Sequence, residues 1–332
     1  MGIRNFKRNR SYTKNFSTND SPMSSRFHRL THTILTACIL VAIGFSNLHA
    51  QQARDAYQVE VFDVANPQLL LETSGGAIEV IGSDRSTVEV QIFARKGGKL
   101  IKEGDLEDVT IVVKQQGASI SVVAESNSNG WNWRNNTSIS YRVYTPTTTK
   151  LEMKTSGGSL DASGIKGTIL GRTSGGSVEL KDIDGTAEVR TSGGSMTFSR
   201  INGQLLARTS GGSIQVRDTK GSIEVRSSGG SITIFESYGG PVIARTSGGS
   251  ITCELTRVKG DIDLDTSGGN ITIDIPLQKG YELDLKGSRV DVDMVQFTGR
   301  SERNKMEGVI MSGGPLVRAS TSGGTVRLRF DD

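Results

Sequence analysis

The chain has 332 residues, 39 of them Lys or Arg and 35 Asp or Glu, for a formal charge of +4, and only 5% of its side chains are aromatic. Seven of the basic and one of the acidic residues lie in the first 50, leaving 32 against 34 beyond them, so the positive excess belongs to the N-terminal segment and nucleic-acid binding has no global support. All three histidines, His28, His32 and His49, lie in the same segment and one cysteine, Cys253, remains outside it, which excludes Ser-His-Asp and Cys-His catalysis, His-ligated metal and an intramolecular disulfide in the rest of the chain.

Residues 1–50 read as a basic segment followed by a secretory leader. Arg4, Lys7, Arg8, Arg10, Lys14, Arg26 and Arg29 precede an apolar run from Ile34 to Phe45. Ser46-Asn47-Leu48-His49-Ala50 then predicts cleavage after Ala50, and the run is too short for a permanent membrane span. Met23 is an alternative start that gives a leader of ordinary length. Leu35-Thr36-Ala37-Cys38 has the outline of a lipoprotein processing box, but most of the apolar run follows Cys38, which argues against lipidation. The expected location is the periplasm, the cell surface or the medium.

Residues 51–150 are predicted to be an irregular β region that caps the C-terminal remainder of the chain. Alternating runs give strands at Tyr57–Phe62, Gln68–Thr73, Ile78–Ile81, Thr87–Ala94, Val109–Lys114, Ser119–Ala124, Ser138–Tyr144 and Lys150–Thr155. Thr73-Ser74-Gly75-Gly76 is an early turn signal, and 96–108 and 125–136 are predicted loops. The second holds both tryptophans, in Gly130-Trp131-Asn132-Trp133-Arg134. Trp131, Trp133 and Arg134 either fold back to cap the domain or stack on a ligand.

From Thr155 the chain becomes periodic. Thr-Ser-Gly-Gly-Ser starts at Thr155, Thr173, Thr191 and Thr209, returns as Ser-Ser-Gly-Gly-Ser at Ser227, and recurs at Thr246 and Thr266 (there ending in Asn270); the first steps are 18 residues and the last two are 19 and 20. Each period holds two short alternating runs and two turns, too little for a helix, so the expected fold is all-β: a single-stranded, parallel β-helix-like solenoid over 151–332. After the Gly pair the inward positions are Val178 and Leu180, Met196 and Phe198, Ile214 and Val216, Ile232 and Ile234, Ile251 and Cys253, Ile271 and Ile273. The second run adds Ala187 and Val189, Leu205 and Ala207, Ile223 and Val225, Val242 and Ala244, Ile262 and Leu264. Cys253 is thus a small buried hydrophobe rather than a nucleophile.

The turn glycines Gly157, Gly158, Gly175, Gly176, Gly193, Gly194, Gly211, Gly212, Gly229, Gly230, Gly248, Gly249, Gly268 and Gly269 are expected at positive φ, with no room for a Cβ between stacked turns. No carboxylate recurs within these turns and no Gly-Lys-Ser/Thr follows them, so neither Ca²⁺ nor a phosphate is expected there. Asp182 and Asp184 read as turn residues. Outward, Arg172, Arg190, Arg208, Arg226 and Arg245 form one column beside Leu170, Glu188, Leu206, Glu224 and Ile243. The column is either a solvated, Glu-compensated face or a stripe that binds an anionic polymer. At the C-terminus, 296–307 is a predicted loop, 311–314 and 321–324 are late turns, and Val326–Phe330 is a final strand whose Arg327, Arg329, Asp331 and Asp332 make a charged edge.

The period, the Thr-Ser-Gly-Gly turns, Tyr144-Thr145-Pro146 before Lys150-Leu151, and Gly313-Gly314-Pro315 together resemble a bacterial family of candidate adhesins built from β-strand repeats, a domain of unknown function. The resemblance covers roughly residues 55–332 and implies a β-solenoid in the cell envelope, with no catalytic residues to carry over. The expected function is an exported, non-enzymatic binding or scaffold module whose partner is a polysaccharide or an envelope protein, with no cofactor, no metal and no nucleic acid. Two alternatives stay open: a polysaccharide-active β-helix enzyme working with carboxylates, and a regulatory partner domain of the envelope-stress response.

Overall fold

The computed structural model describes residues 55–331 except 103, 105, 107–108, 127–136 and 294–295. Among these there are 25 strands and no helix. The repeat is a β-solenoid coil. Leu160–Arg172, Val178–Arg190 and Met196–Arg208 each run 13 residues through a corner, and each pairs in parallel with the next at the same repeat position, Val178 with Met196 and Arg190 with Arg208. Later coils break at the corner into Ile214–Arg217 and Lys220–Arg226, then Ile232–Gly239 and Val242–Thr246, then Ile251–Val258 and Ile262–Thr266. The columns continue through the breaks, from Ile214 to Ile232, Ile251 and Ile271.

The expected inward columns form the core: Val178, Leu180, Ala187 and Val189 and their counterparts are essentially inaccessible to solvent. A further inward column lies at the corner, Ile165, Ile183 and Ile201, two residues before Gly167, Gly185 and Gly203. In the next two coils buried Thr219 and Ser237 take this place and bond to one another: the Thr219 N–H donates to Ser237 Oγ at 3.2 Å, and Ser237 Oγ donates to the Phe235 carbonyl at 3.1 Å. The corner itself is a column of left-handed residues, Gly164, Asp182, Arg200, Asp218 and Glu236, with φ between 47° and 69°.

The Thr-Ser-Gly-Gly turns differ from expectation in one respect. None of their glycines has a left-handed φ. Steric stacking alone selects them, and it selects the second of each pair. A Cβ on Gly176, Gly194 or Gly212 would stand under 3.0 Å from the carbonyl oxygen of the same glycine one coil earlier, whereas a Cβ on Gly175 or Gly193 would meet nothing nearer than 3.6 Å.

The turn threonines link the coils. Thr191 Oγ1 donates to the Gly176 carbonyl of the preceding coil at 2.9 Å and accepts from the Gly194 N–H of its own turn at 3.3 Å. Thr173, Thr209 and Ser227 repeat both bonds in their own coils. Thr191→Val, of nearly the same shape, is therefore expected to leave a buried donor and acceptor unpaired and to cost about 1–3 kcal/mol. Thr191→Ser should cost much less, as Ser227 occupies the equivalent place. Urea denaturation of the two variants distinguishes them; equal losses would mean the hydroxyl is irrelevant.

Both ends of the stack depart from chain order. The first coil, Gln68–Thr73 and Ile78–Ser83, lies between two later ones. Leu69 pairs with Ile120 on one side and Leu151 on the other, and Ile78 pairs with Tyr141 and Leu160. The last coil does the same. Leu316–Thr321 lies between Ile262–Thr266 and Gly280–Lys286, and Thr325–Asp331 between Ile271–Pro276 and Arg289–Val292. The final strand is therefore not an edge, contrary to expectation; Arg329 and Arg327 face Asp274 and Asp291 at 3.5 and 3.6 Å. The predicted loop 296–307 is also corrected. Phe297–Ser301 and Lys305–Met311 are strands that extend Gly280–Lys286 in antiparallel fashion. At the other end Val109–Gln116 pairs antiparallel with Ser119–Ser126, and Thr87–Lys96 with Thr137–Pro146 and Gln58–Asp63. Antiparallel strands thus cover the parallel stack in both sheets at the N-terminal end and beside Gly280–Lys286 at the other, where they block coil-on-coil addition, while the short Arg289–Val292 ends the second sheet as a parallel strand.

Candidate functional site

The second strand of each coil presents two outward columns, two residues apart. One is cationic: Lys154, Arg172, Arg190, Arg208, Arg226 and Arg245, with Glu72 before it and Asp265 after it. The structure therefore brings all five sequence-predicted arginines together, in register. The other column runs Leu70, Glu152, Leu170, Glu188, Leu206, Glu224, Ile243 and Asp263. Aliphatic and acidic residues alternate between Leu70 and Asp263; beyond them the register continues to Ser121 and Arg318, where the alternation ends. Sequence reading recovered only its middle, because Leu70 reaches its place by the interleaving of the first coil.

Ion pairs run between the columns. Glu152 pairs with Lys154 at 2.6 Å, Glu188 with Arg190 at 2.8 Å, and Asp263 with Arg245 at 2.6 Å. Glu224 receives both Arg208 and Arg226 at 3.1 Å. Arg172 has no carboxylate partner among the described residues. The Asp263 contact also holds the Arg245 guanidinium above its ordinary pKa. These pairs are half-exposed, so each contributes about 0–1 kcal/mol to stability. Over their whole length the two columns hold as many carboxylates as cations; only in the middle, from Arg172 to Arg226, are there four arginines to two acids, Glu188 and Glu224.

Other candidate chemistry is placed plainly. Asp182 accepts a two-pronged contact from Arg200 at 2.5 and 2.9 Å, which lowers its pKa, and Asp184 accepts from Asn202 at 3.1 Å. Both are corner residues bonded to the next coil rather than a catalytic pair. On the opposite strand face Glu79, Asp161 and Glu179 stack beside a shallow depression of about 490 Å³. Burial pushes the Asp161 carboxyl up against a hydrogen bond from Ser159. Among the described residues no group of His, Cys, Asp and Glu could hold a metal ion. Trp131, Trp133 and Arg134 lie outside the described residues.

Cys253 is fully buried, and its thiol is pushed up to about 12 by burial, then by Asp274 and Glu254. At pH 8 alkylation of the Cys253 peptide, followed by mass spectrometry, is expected only as fast as the domain unfolds. Rapid labelling of the native protein would refute the buried-hydrophobe reading.

No curated protein matches the chain. Three solved structures align with 82% of it: a candidate adhesin from Bacteroides fragilis (14% identity, 96% of that chain, TM-score 0.38), another from Parabacteroides distasonis (11%, 96%, 0.32), and a candidate cell adhesion protein from Clostridium sporogenes (10%, 99%, 0.20). At these scores the likeness supports no statement about activity. Among the described residues no helix is long and apolar enough to cross a membrane. The model of one family, Toastrack DUF4097, matches residues 66–329, spanning the first coil, the regular repeats and the interleaved last coil, and the chain belongs to that family.

Proposed function

We propose that the protein is an exported, non-enzymatic β-solenoid that works as an adhesin-like binding and scaffold module at the cell surface or in the periplasm, recognising a repeating partner such as a glycan. The observation that carries this reading is the in-register column of exposed arginines, a one-dimensional array of identical donors. Identical sites at fixed spacing suit a polymer whose own groups repeat, because weak contacts then sum through multivalency. The minimal turns of the regular coils support a non-enzymatic role, since they gather no loops over a groove in which a reaction could be enclosed.

In this reading residues 1–50 are the basic segment and leader, 51–150 the cap and 151–332 the repeats, with Trp131, Trp133 and Arg134 as a second contact element. Fractionation of the cells that make the protein, with N-terminal sequencing, should find it outside the cytoplasm beginning at Gln51. A screen of the full chain against acidic and neutral glycans should yield binding. Turnover of a bound polysaccharide, abolished by replacing one carboxylate, would overturn the non-enzymatic reading, and binding to none would overturn the glycan one.

A further inference from the structure

We infer that the face carrying the arginine column is a track for a linear anionic polysaccharide with one carboxylate per disaccharide, laid along the stacking direction. This deepens the glycan reading and rests on it. Period and charge both match.

Successive coils are about 4.8 Å apart, so the cationic column repeats at that distance, while the alternation of aliphatic and acidic residues beside it repeats every two coils, about 9.6 Å. Two coils are the length of one disaccharide in an extended glycan chain. From Arg172 to Arg226, four guanidiniums meet only two carboxylates, Glu188 and Glu224. One positive charge is left over per two coils. A face built only to neutralise itself would place an acid in every coil; here Leu170, Leu206 and Ile243 hold the alternate places, half-buried. A polymer with one carboxylate per disaccharide matches the surplus charge. Its uncharged sugars can set their C–H faces on the aliphatic side chains. A polymer charged on every sugar would force alternate carboxylates against Glu188 and Glu224. Exposed Ser174, Ser192 and Ser210 of the turns flank the arginines and offer hydroxyls to the sugars.

The test measures affinity of the exported protein, residues 51–332, at physiological salt for hyaluronan oligomers (one uronate per disaccharide), polygalacturonate (one per sugar), polyphosphate and dextran. The protein is used as exported, beginning at Gln51 in the reading above, so the seven Lys and Arg residues of the first 50 do not bias the choice among anionic polymers. The wild type should prefer hyaluronan. Arg190→Ser/Arg208→Ser/Arg226→Ser should weaken that binding at least tenfold. Glu188→Gln/Glu224→Gln, which keeps every arginine, should shift preference toward polygalacturonate. Preference of the wild type for polygalacturonate or polyphosphate overturns the inference. So does glycan binding that neither variant changes, although the broader glycan reading then survives. Binding to no glycan on a wide screen overturns both. Thermal melts of both variants confirm that the comparison is between folded proteins.

Discussion

Gly194→Ala is expected to destabilise the protein by about 3 kcal/mol or more, while Gly193→Ala, one residue away, is neutral or stabilising by up to about 1 kcal/mol. The contrast comes from where each new methyl would go. At Gly194 it would stand under 3.0 Å from the Gly176 carbonyl, a backbone atom of the neighbouring coil that cannot turn aside. Either the coil spacing opens, at the cost of the Thr191 and Thr209 hydrogen bonds, or the turn refolds. At Gly193 the nearest atoms are at 3.6 Å, ordinary contact, and φ is not left-handed. Alanine then only narrows the unfolded ensemble. Urea denaturation of both variants measures the difference, and equal effects would show that the stacking argument is wrong.

Deleting residues 316–332 should abolish cooperative folding, whereas deleting 191–208 should leave a folded protein with a modestly lower melting temperature. The two segments are of similar length. Removing 191–208 takes out one whole coil and joins Arg190 to Thr209, so every column closes up in register; a solenoid's stability is roughly a sum over coils and their neighbours, and the loss is one term of that sum. Removing 316–332 takes a coil from inside the stack without joining its neighbours. Fully buried Val317, Ala319, Val326 and Leu328 vanish, and Ile262, Leu264, Ile271 and Ile273 lose their cover. The lost side chains alone are worth on the order of 5 kcal/mol. Circular dichroism and thermal melts read the result. If the C-terminal deletion melts no lower than the internal one, the interleaved arrangement does not hold.

The regular coils were legible because stacking in register imposes the same demand at the same place in every period. Val178, Met196 and Ile214 announce one column; Thr173, Thr191 and Thr209 announce another. The arginine column was legible for the same reason. The corner isoleucines Ile165, Ile183 and Ile201 keep the two-residue phase of the second strand, but Gly167, Gly185 and Gly203 interrupt that run, so they were missed inside what reads as a turn. The ends were illegible for a different reason. Leu69 beside Leu151, or Ile262 beside Val317, are pairings across 82 and 55 residues, and no period connects them. The alternating acids inherit part of that difficulty, since Leu70 joins their column only through such a pairing. The glycines were identified for the right reason in part: absence of space holds for the second of each pair, and positive φ belongs instead to the other corner, to Asp182, Arg200, Asp218 and Glu236 and to the glycines Gly167, Gly185 and Gly203.

Because the last strand is hydrogen-bonded on both flanks, tension applied at the C-terminus cannot unzip it one bond at a time from a free border. It must slide past two parallel neighbours together, breaking many bonds at once. Under such shear the rate of rupture is set by the unfolding barrier rather than by overall stability. A molecule tethered by that end to a moving support would hold its grip longest in the geometry where both flanking strands resist.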